Sequence, residues 1–119
     1  MDGYWAASAA GHVEFGEPCV AAVTREAREE LGIGLAEGDL QPLCAVHRYQ
    51  RSDRPVDQRV DFFFACRRWD REPVLQEHKA SALEWFALTA LPEPVVPHEL
   101  AVLRGLADGT LPAVFAFGF

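Results

Sequence analysis

The chain has 119 residues and a formal net charge of -7, which speaks against a general nucleic-acid binder and means an anionic substrate would need cations brought in to receive it. With 50% hydrophobic and 24% charged residues, it reads as one soluble globular domain, 1–119, large enough to bury a core without disulfides or structural metal. No apolar run is long enough to cross a membrane, "MDGYWAASAAG" has neither the basic segment nor the apolar core of a signal peptide, and Cys19, Cys44 and Cys66 are scattered and odd in number, as expected of reduced, half-buried thiols in a cytoplasmic protein.

In chain order, "YWAAS" reads as a short extended segment running into Gly11. From Pro18 to Leu31 the pattern is helical: proline suits a first helical turn, and Gly32 suits the residue just past a helix end. Aromatic and β-branched residues make strands of "LCAVHRYQR" (43–51) and "RVDFFFACRRW" (59–69), with "SDRPVDQ" as the connecting loop. "ALEWFAL" (82–88) reads as a further short strand or strand edge and "ALPEPVVP" as loop. "HELAVLRGLADG" has the apolar spacing of a helix ending at Gly109. Strands in the middle with a helix on either side in sequence predict an α/β (α+β) fold, a mixed sheet covered by helices.

The first helix poses a chemical question. At about 100° per residue, Glu26, Glu29 and Glu30 fall within an arc of roughly 100°, beside an expected apolar stripe of Val20, Val23, Ala27 and Leu31. Spacings of three and four residues bring the carboxylates within a few ångströms of one another, and unneutralised they repel. A solvated acidic face paired locally with Arg25 and Arg28 is one reading. The other is a site for a hard divalent cation, because Mg²⁺ prefers oxygen ligands and is often shared between carboxylates and substrate phosphates.

The flanking residues extend the pattern. "GHVEFGEPCVAAVTREAREELGI" (11–33) fills every fixed position of G-x5-E-x7-R-E-U-x-E-E-x-G-U, where U is apolar, with Gly11, Glu17, Arg25, Glu26, Ala27, Glu29, Glu30, Gly32 and Ile33. On these residues, with "DGYW" before them and "ALEWFAL" and "LPEPVVPHEL" after, the chain resembles the Nudix hydrolases over nearly its whole length. The resemblance implies an α/β/α sandwich and a metal-dependent pyrophosphohydrolase that cleaves a nucleoside diphosphate linked to another moiety. It further implies that Glu26, Glu29, Glu30 and the carbonyl of Ala10 bind Mg²⁺ or Mn²⁺, that Arg25 and Glu17 orient the acidic cluster, and that Gly11 and Gly32 serve the backbone. The general base is Glu29 within the motif or Glu77 in the later loop "LQEHKASALEW". For Glu77, a plain exposed loop carboxylate stands beside that reading.

His12, His47, His78 and His98 have no metal-ligand spacing and read as surface or substrate-side residues. Trp5, Trp69 and Trp85 read as core or rim aromatics, although one of them, or Tyr49 or Phe62, could stack on a base. Tyr49 stands where dinucleoside polyphosphate hydrolases of the family tend to carry a tyrosine, but a strand tyrosine needs no special reason. Two departures stand out. The loop before the motif reads Ala9-Ala10-Gly11 instead of the family's Pro-Gly-Gly, which makes any positive φ at Ala10 costly. The family also places at least one strand ahead of the segment matching "DGYW", whereas Met1 stands directly before it here. An N-terminally shortened sheet is expected to expose a strand edge, which a second copy would cover in a homodimer. The partner is otherwise a nucleotide substrate, with no nucleic acid and no membrane. The competing functional reading is a catalytically silent module of the same family that binds a nucleotide as a sensor or regulator; retention of all three carboxylates weighs against it.

Overall fold

Residues 4–6, 13–52, 54–76 and 82–119 are described by a computed structural model of the chain. Among the described residues there are two helices, α1 (Cys19–Leu31) and α2 (Pro97–Asp108), three strands, β1 (Leu40–Tyr49), β2 (Gln58–Cys66) and β3 (Val114–Phe117), and two short 3₁₀ turns, Glu37–Asp39 before β1 and Pro55–Asp57 before β2. The expected α+β class with a mixed sheet is what forms. Strand order is β2-β1-β3, and β1 pairs with β3 in parallel, Val46 opposite Phe115 and Arg48 opposite Phe117. The connection 50–57 from β1 to β2 is too short for a parallel crossover, and the Gln50 N–H donates to the Asp57 carbonyl across its mouth at 3.0 Å.

Both helices end where their glycines predict. Gly32 takes φ 69° and its N–H donates to the Arg28 carbonyl, and Gly109 takes φ 70° as the cap of α2. Only a residue without Cβ enters this left-handed region at no steric cost. Pro18 and Pro97 stand at the two helix starts, where a missing N–H removes no helical bond.

The strands depart from the expected bounds. Pairing in β1 stops at Tyr49, two residues before Arg51 turns to φ 35°. β2 stops at Cys66, so Trp69 lies outside it; the exposed, charged run 67–72 follows. The strand expected at 82–88 is absent. Those residues are all exposed and pair with no described strand, and an extended segment becomes a strand only when a partner takes its N–H and C=O groups. β3 was not foreseen: its four residues are too short to carry a period, and β1 supplies its ladder. "YWAAS" is extended at Trp5, which forms a single parallel bridge with Val95; its N–H donates to the Pro94 carbonyl and its carbonyl accepts from Val96.

The chain forms two compact units. One comprises Met1–Ala6, Pro42–Phe64 and Phe86–Phe119, and its core is Cys44, Val46 and Val102 with Phe63, Leu111, Phe115 and Phe117 packed around them. Burial pushes the Cys44 thiol above its ordinary pKa, as a low-dielectric surrounding disfavours the thiolate. His98 belongs to this core more than to the surface. Its ring lies edge-on to Phe63 and Phe117 and 3.8 Å from Asp61, which Arg48 also holds. Burial, helped by the nearby Arg48 and Arg59 charges and opposed by Asp61, holds its pKa below the ordinary imidazole value. The other unit comprises Ala7–Gln41 and Ala65–Trp85; Ala27, Leu31 and Ile33 form its core with Leu35 and Leu75.

Candidate active site

The second unit carries the acidic helix. Ala27 and Leu31 are buried as the apolar stripe requires, but Val20 and Val23 are only half-buried, and Ala22 and Glu26 take their place. Glu26 is 8% exposed. A carboxylate taken out of water costs stability unless it is paired, and the adjacent residue pairs it.

Arg25 is the hub of the site. Its Nε and Nη2 take the two oxygens of Glu17 side-on at 2.8 and 3.1 Å. Its Nη1 donates to Glu26 Oε1 at 2.7 Å and to Glu29 Oε2 at 3.1 Å, with Glu14 Oε1 a further 3.7 Å away. A planar guanidinium has five N–H donors in a fixed fork, so one cation can hold three carboxylates at defined angles. The hydrogen bonds that Arg25 donates to Glu17, opposed by desolvation and aided by Glu26, raise the Arg25 pKa above its ordinary value. Glu17 is correspondingly held below the usual carboxylate range, first by Arg25 and then by the Glu14 N–H, which donates to Oε1 at 3.0 Å. The repulsion on one helix turn is thus met by a cation on the same helix.

The expected residues separate into three groups. Glu17, Arg25, Glu26 and Glu29 are brought together on and before α1, with Glu30 one residue on. Gly32 caps the same helix, and a Cβ there would meet the Gln76 side chain at 2.9 Å. Ala10, Gly11 and Glu77 lie outside the described residues, as do His12 and His78. Tyr49 belongs to the other unit. There its hydroxyl donates to the Ser52 carbonyl at 2.7 Å, its ring is tilted on Phe119 at 5.4 Å, and with Arg51, Ser52 and Phe119 it lines an open cavity of about 480 Å³.

The donor chemistry of Glu26, Glu29 and Glu30 fits a hard divalent cation. Arg25 uses one oxygen each of Glu26 and Glu29 and leaves the other to a further ligand. The carboxylates of Glu26 and Glu29 are turned toward Arg25 Nη1, and among the described residues no three His, Cys, Asp or Glu side chains form a ready metal cluster.

Sequence reasoning missed the clamp at the helix exit. The Gly34 N–H donates to Asp70 Oδ1 at 2.7 Å, and this bond is the main reason the Asp70 pKa lies below the ordinary carboxylate value. The segment that follows Asp70 runs beside the end of α1, with the Val74 N–H on the Leu31 carbonyl at 3.0 Å and the Gln76 N–H on the Glu30 carbonyl at 2.9 Å. Contacts between positions so far apart in the chain leave no periodic signal.

Comparison with known proteins agrees with this construction. A family model described as NUDIX domain matches residues 1–106. The chain is similar to the crystal structure of a MutT NUDIX hydrolase from Burkholderia pseudomallei, with 32% sequence identity and a TM-score of 0.73, over 86% of this chain and 76% of that one. No curated protein matches. With the motif filled, its arginine fanned across the acidic helix and the domain matched over most of its length, the chain belongs to the Nudix family, hydrolases acting on phosphoric anhydride bonds.

Proposed function

We propose that this protein is a divalent-metal-dependent pyrophosphohydrolase that cleaves a nucleoside diphosphate linked to another moiety, such as a nucleoside triphosphate or a related nucleotide. The observation that carries the reading is the array on α1, in which Arg25 holds Glu17, Glu26 and Glu29 together. Both compact units are read as one Nudix domain, because the family match runs through both of them.

Glu26, Glu29 and Glu30, with the Ala10 carbonyl, would hold Mg²⁺ or Mn²⁺. When bound, such ions neutralise phosphate charge, acidify the attacking water and stabilise the leaving oxygen. The chain's own part is placement. Arg25 restricts the rotamers of Glu17, Glu26 and Glu29, so that the carboxylates meet the phosphate in one arrangement, and positioning with electrostatics is most of what phosphoryl chemistry requires. Under this reading Glu29, the more exposed of the two carboxylates held by Arg25 Nη1, would take the proton from water as the base within the motif. Glu77 is the alternative base from the later loop.

The test is a panel of nucleoside triphosphates, nucleotide sugars and dinucleoside polyphosphates incubated with Mg²⁺ or Mn²⁺, following phosphate or pyrophosphate release. Hydrolysis that stops on chelation supports the reading; nucleotide binding without release of any product replaces it with the sensor module. Glu77→Gln then assigns the base. A base in the loop predicts a kcat lowered by about 10²-fold or more at little change in KM, whereas an unchanged kcat gives the role to Glu29.

Homodimerisation belongs to the same proposal. β2 and β3 are the outer strands of the described sheet and present exposed Val60, Phe62 and Val114, which a second copy would cover. Sedimentation at micromolar concentration distinguishes the dimer from a monomer, and a monomer ends the idea. The three free cysteines support a reducing, cytoplasmic location. No described helix is long and apolar enough to cross a membrane.

A further inference from the structure

Tryptophan is the largest apolar side chain and normally hides most of its ring. In the unit that carries α1, Trp85 is 72% exposed and Trp69 is 37% exposed. The two rings stack on each other with centroids 5.7 Å apart and planes 16° from parallel. One face of Trp85 is therefore taken by Trp69, and the ring is otherwise largely in water. Stacking on Trp69 holds the Trp85 ring in one orientation, so a flat ligand meets a preformed surface.

The surroundings specify the ligand. Arg67 and Arg68 precede Trp69 directly and are exposed. Neither has an ion-pair partner among the described residues, while Arg71 lies 3.6 Å from Asp70. Two exposed cations next in sequence to a stacked indole pair, in a chain of net charge -7, suit a ligand that is flat at one end and anionic at the other. The position is tied to the acidic helix. Asp70, next to Trp69, accepts from the Gly34 N–H, and the Gln76 N–H donates to the carbonyl of Glu30, one of the three carboxylate residues of the acidic cluster.

We infer that Trp85, backed by Trp69, is the shelf on which the base of the nucleotide stacks, with Arg67 and Arg68 drawing in its phosphates. The inference rests on the nucleotide hydrolase reading and adds to it the group that recognises the base. Stacking tolerates any base because each has a π face, so the shelf predicts a weak preference among the four bases and a strong preference for nucleotides over base-free polyphosphates.

Tryptophan fluorescence is the direct readout, with non-hydrolysable analogues of the four nucleoside triphosphates and inorganic tripolyphosphate as probes. The nucleotides should quench the wild-type emission and tripolyphosphate should not. In Trp85→Ala the quench should disappear and nucleotide affinity should fall about tenfold, within the range that base–aromatic stacking gives, with the loss in KM and kcat retained. Trp85→Phe should keep most of the affinity, because a smaller ring still stacks. A W85A variant that hydrolyses and binds nucleotides with unchanged KM and affinity overturns the shelf and leaves the enzyme reading standing. A wild-type protein that neither binds nor hydrolyses any nucleotide overturns both. Binding without hydrolysis that is lost in W85A supports the shelf and sinks only the catalytic part of the reading.

Discussion

Glu29→Gln and Glu30→Gln are each expected to lower kcat by about 10²–10⁴-fold, the range over which general acid–base and electrostatic groups act, while folding is nearly unchanged. Each substitution keeps the shape of the side chain and removes its charge, so the change isolates what the anion does. Stability should hold at Glu29 because its side chain is 47% exposed and gives up one i,i+4 contact with Arg25, and exposed pairs contribute little. Glu30 keeps its place in the backbone, where its carbonyl accepts from the Gln76 N–H whatever its side chain. The measurement is steady-state product release at saturating nucleotide and Mg²⁺, with thermal melting beside it; EDTA should take the wild type to the same low level. Turnover near normal in both variants would remove the catalytic site from α1.

Arg25→Ala should be the most damaging single change to the architecture of the site. It releases Glu17, Glu26 and Glu29 together and leaves Glu26, 8% exposed, without the guanidinium that pairs it, the situation in which a buried charge is most costly. A clear fall in Tm is expected, together with a kcat lowered about 10–100-fold, the loss typical when residues that orient a ligand set are removed. Arg25→Lys should restore part of the Tm and little of the kcat, since one ammonium cannot bond three carboxylates at fixed angles.

The pH dependence separates charge from shape. Glu17 has its folded-state pKa held below the ordinary 4.5, chiefly by Arg25. Its contribution is therefore fully present above pH 4.5 and lost as pH falls through the lower folded-state value. The Tm gap between wild type and Arg25→Ala should accordingly be widest near neutrality and narrow on acidification below about pH 4.5. A gap that is constant with pH would show Arg25 to be a packing residue only, and a kcat that Lys fully rescues would show that its charge suffices without the guanidinium fork.

How much of this was legible in the linear order of residues follows from the range of each interaction. The bounds of α1, its Gly32 cap and the crowding of Glu26, Glu29 and Glu30 all arise within a few residues along the chain, where 3.6-residue periodicity and end signals act. They could be read directly, whereas Arg25 and Glu17 as orienting partners of the acidic cluster came from the family resemblance. α2 ending at Gly109 was legible for the same reason, as were two strands in the middle of the chain.

What folding added is non-local. No pattern in 11–33 says that Glu26 lies on the buried side while Val20 and Val23 stay half-exposed; the elements that cover the helix decide that. The strand expected at 82–88 and the four-residue β3 make the same point in opposite directions. The first has β-favouring residues and no described partner, and the second has almost no signal of its own but finds β1. Strand identity depends on who takes the backbone hydrogen bonds, which a single segment cannot specify. Trp69 and Trp85 read as core or rim aromatics, and only the tertiary structure shows that they stack on each other and that Trp85 is the more exposed. Side-chain spacing placed the acidic cluster on α1, whereas burial and strand pairing, set by residues distant in the chain, decided which groups around it are buried or paired and which stay exposed.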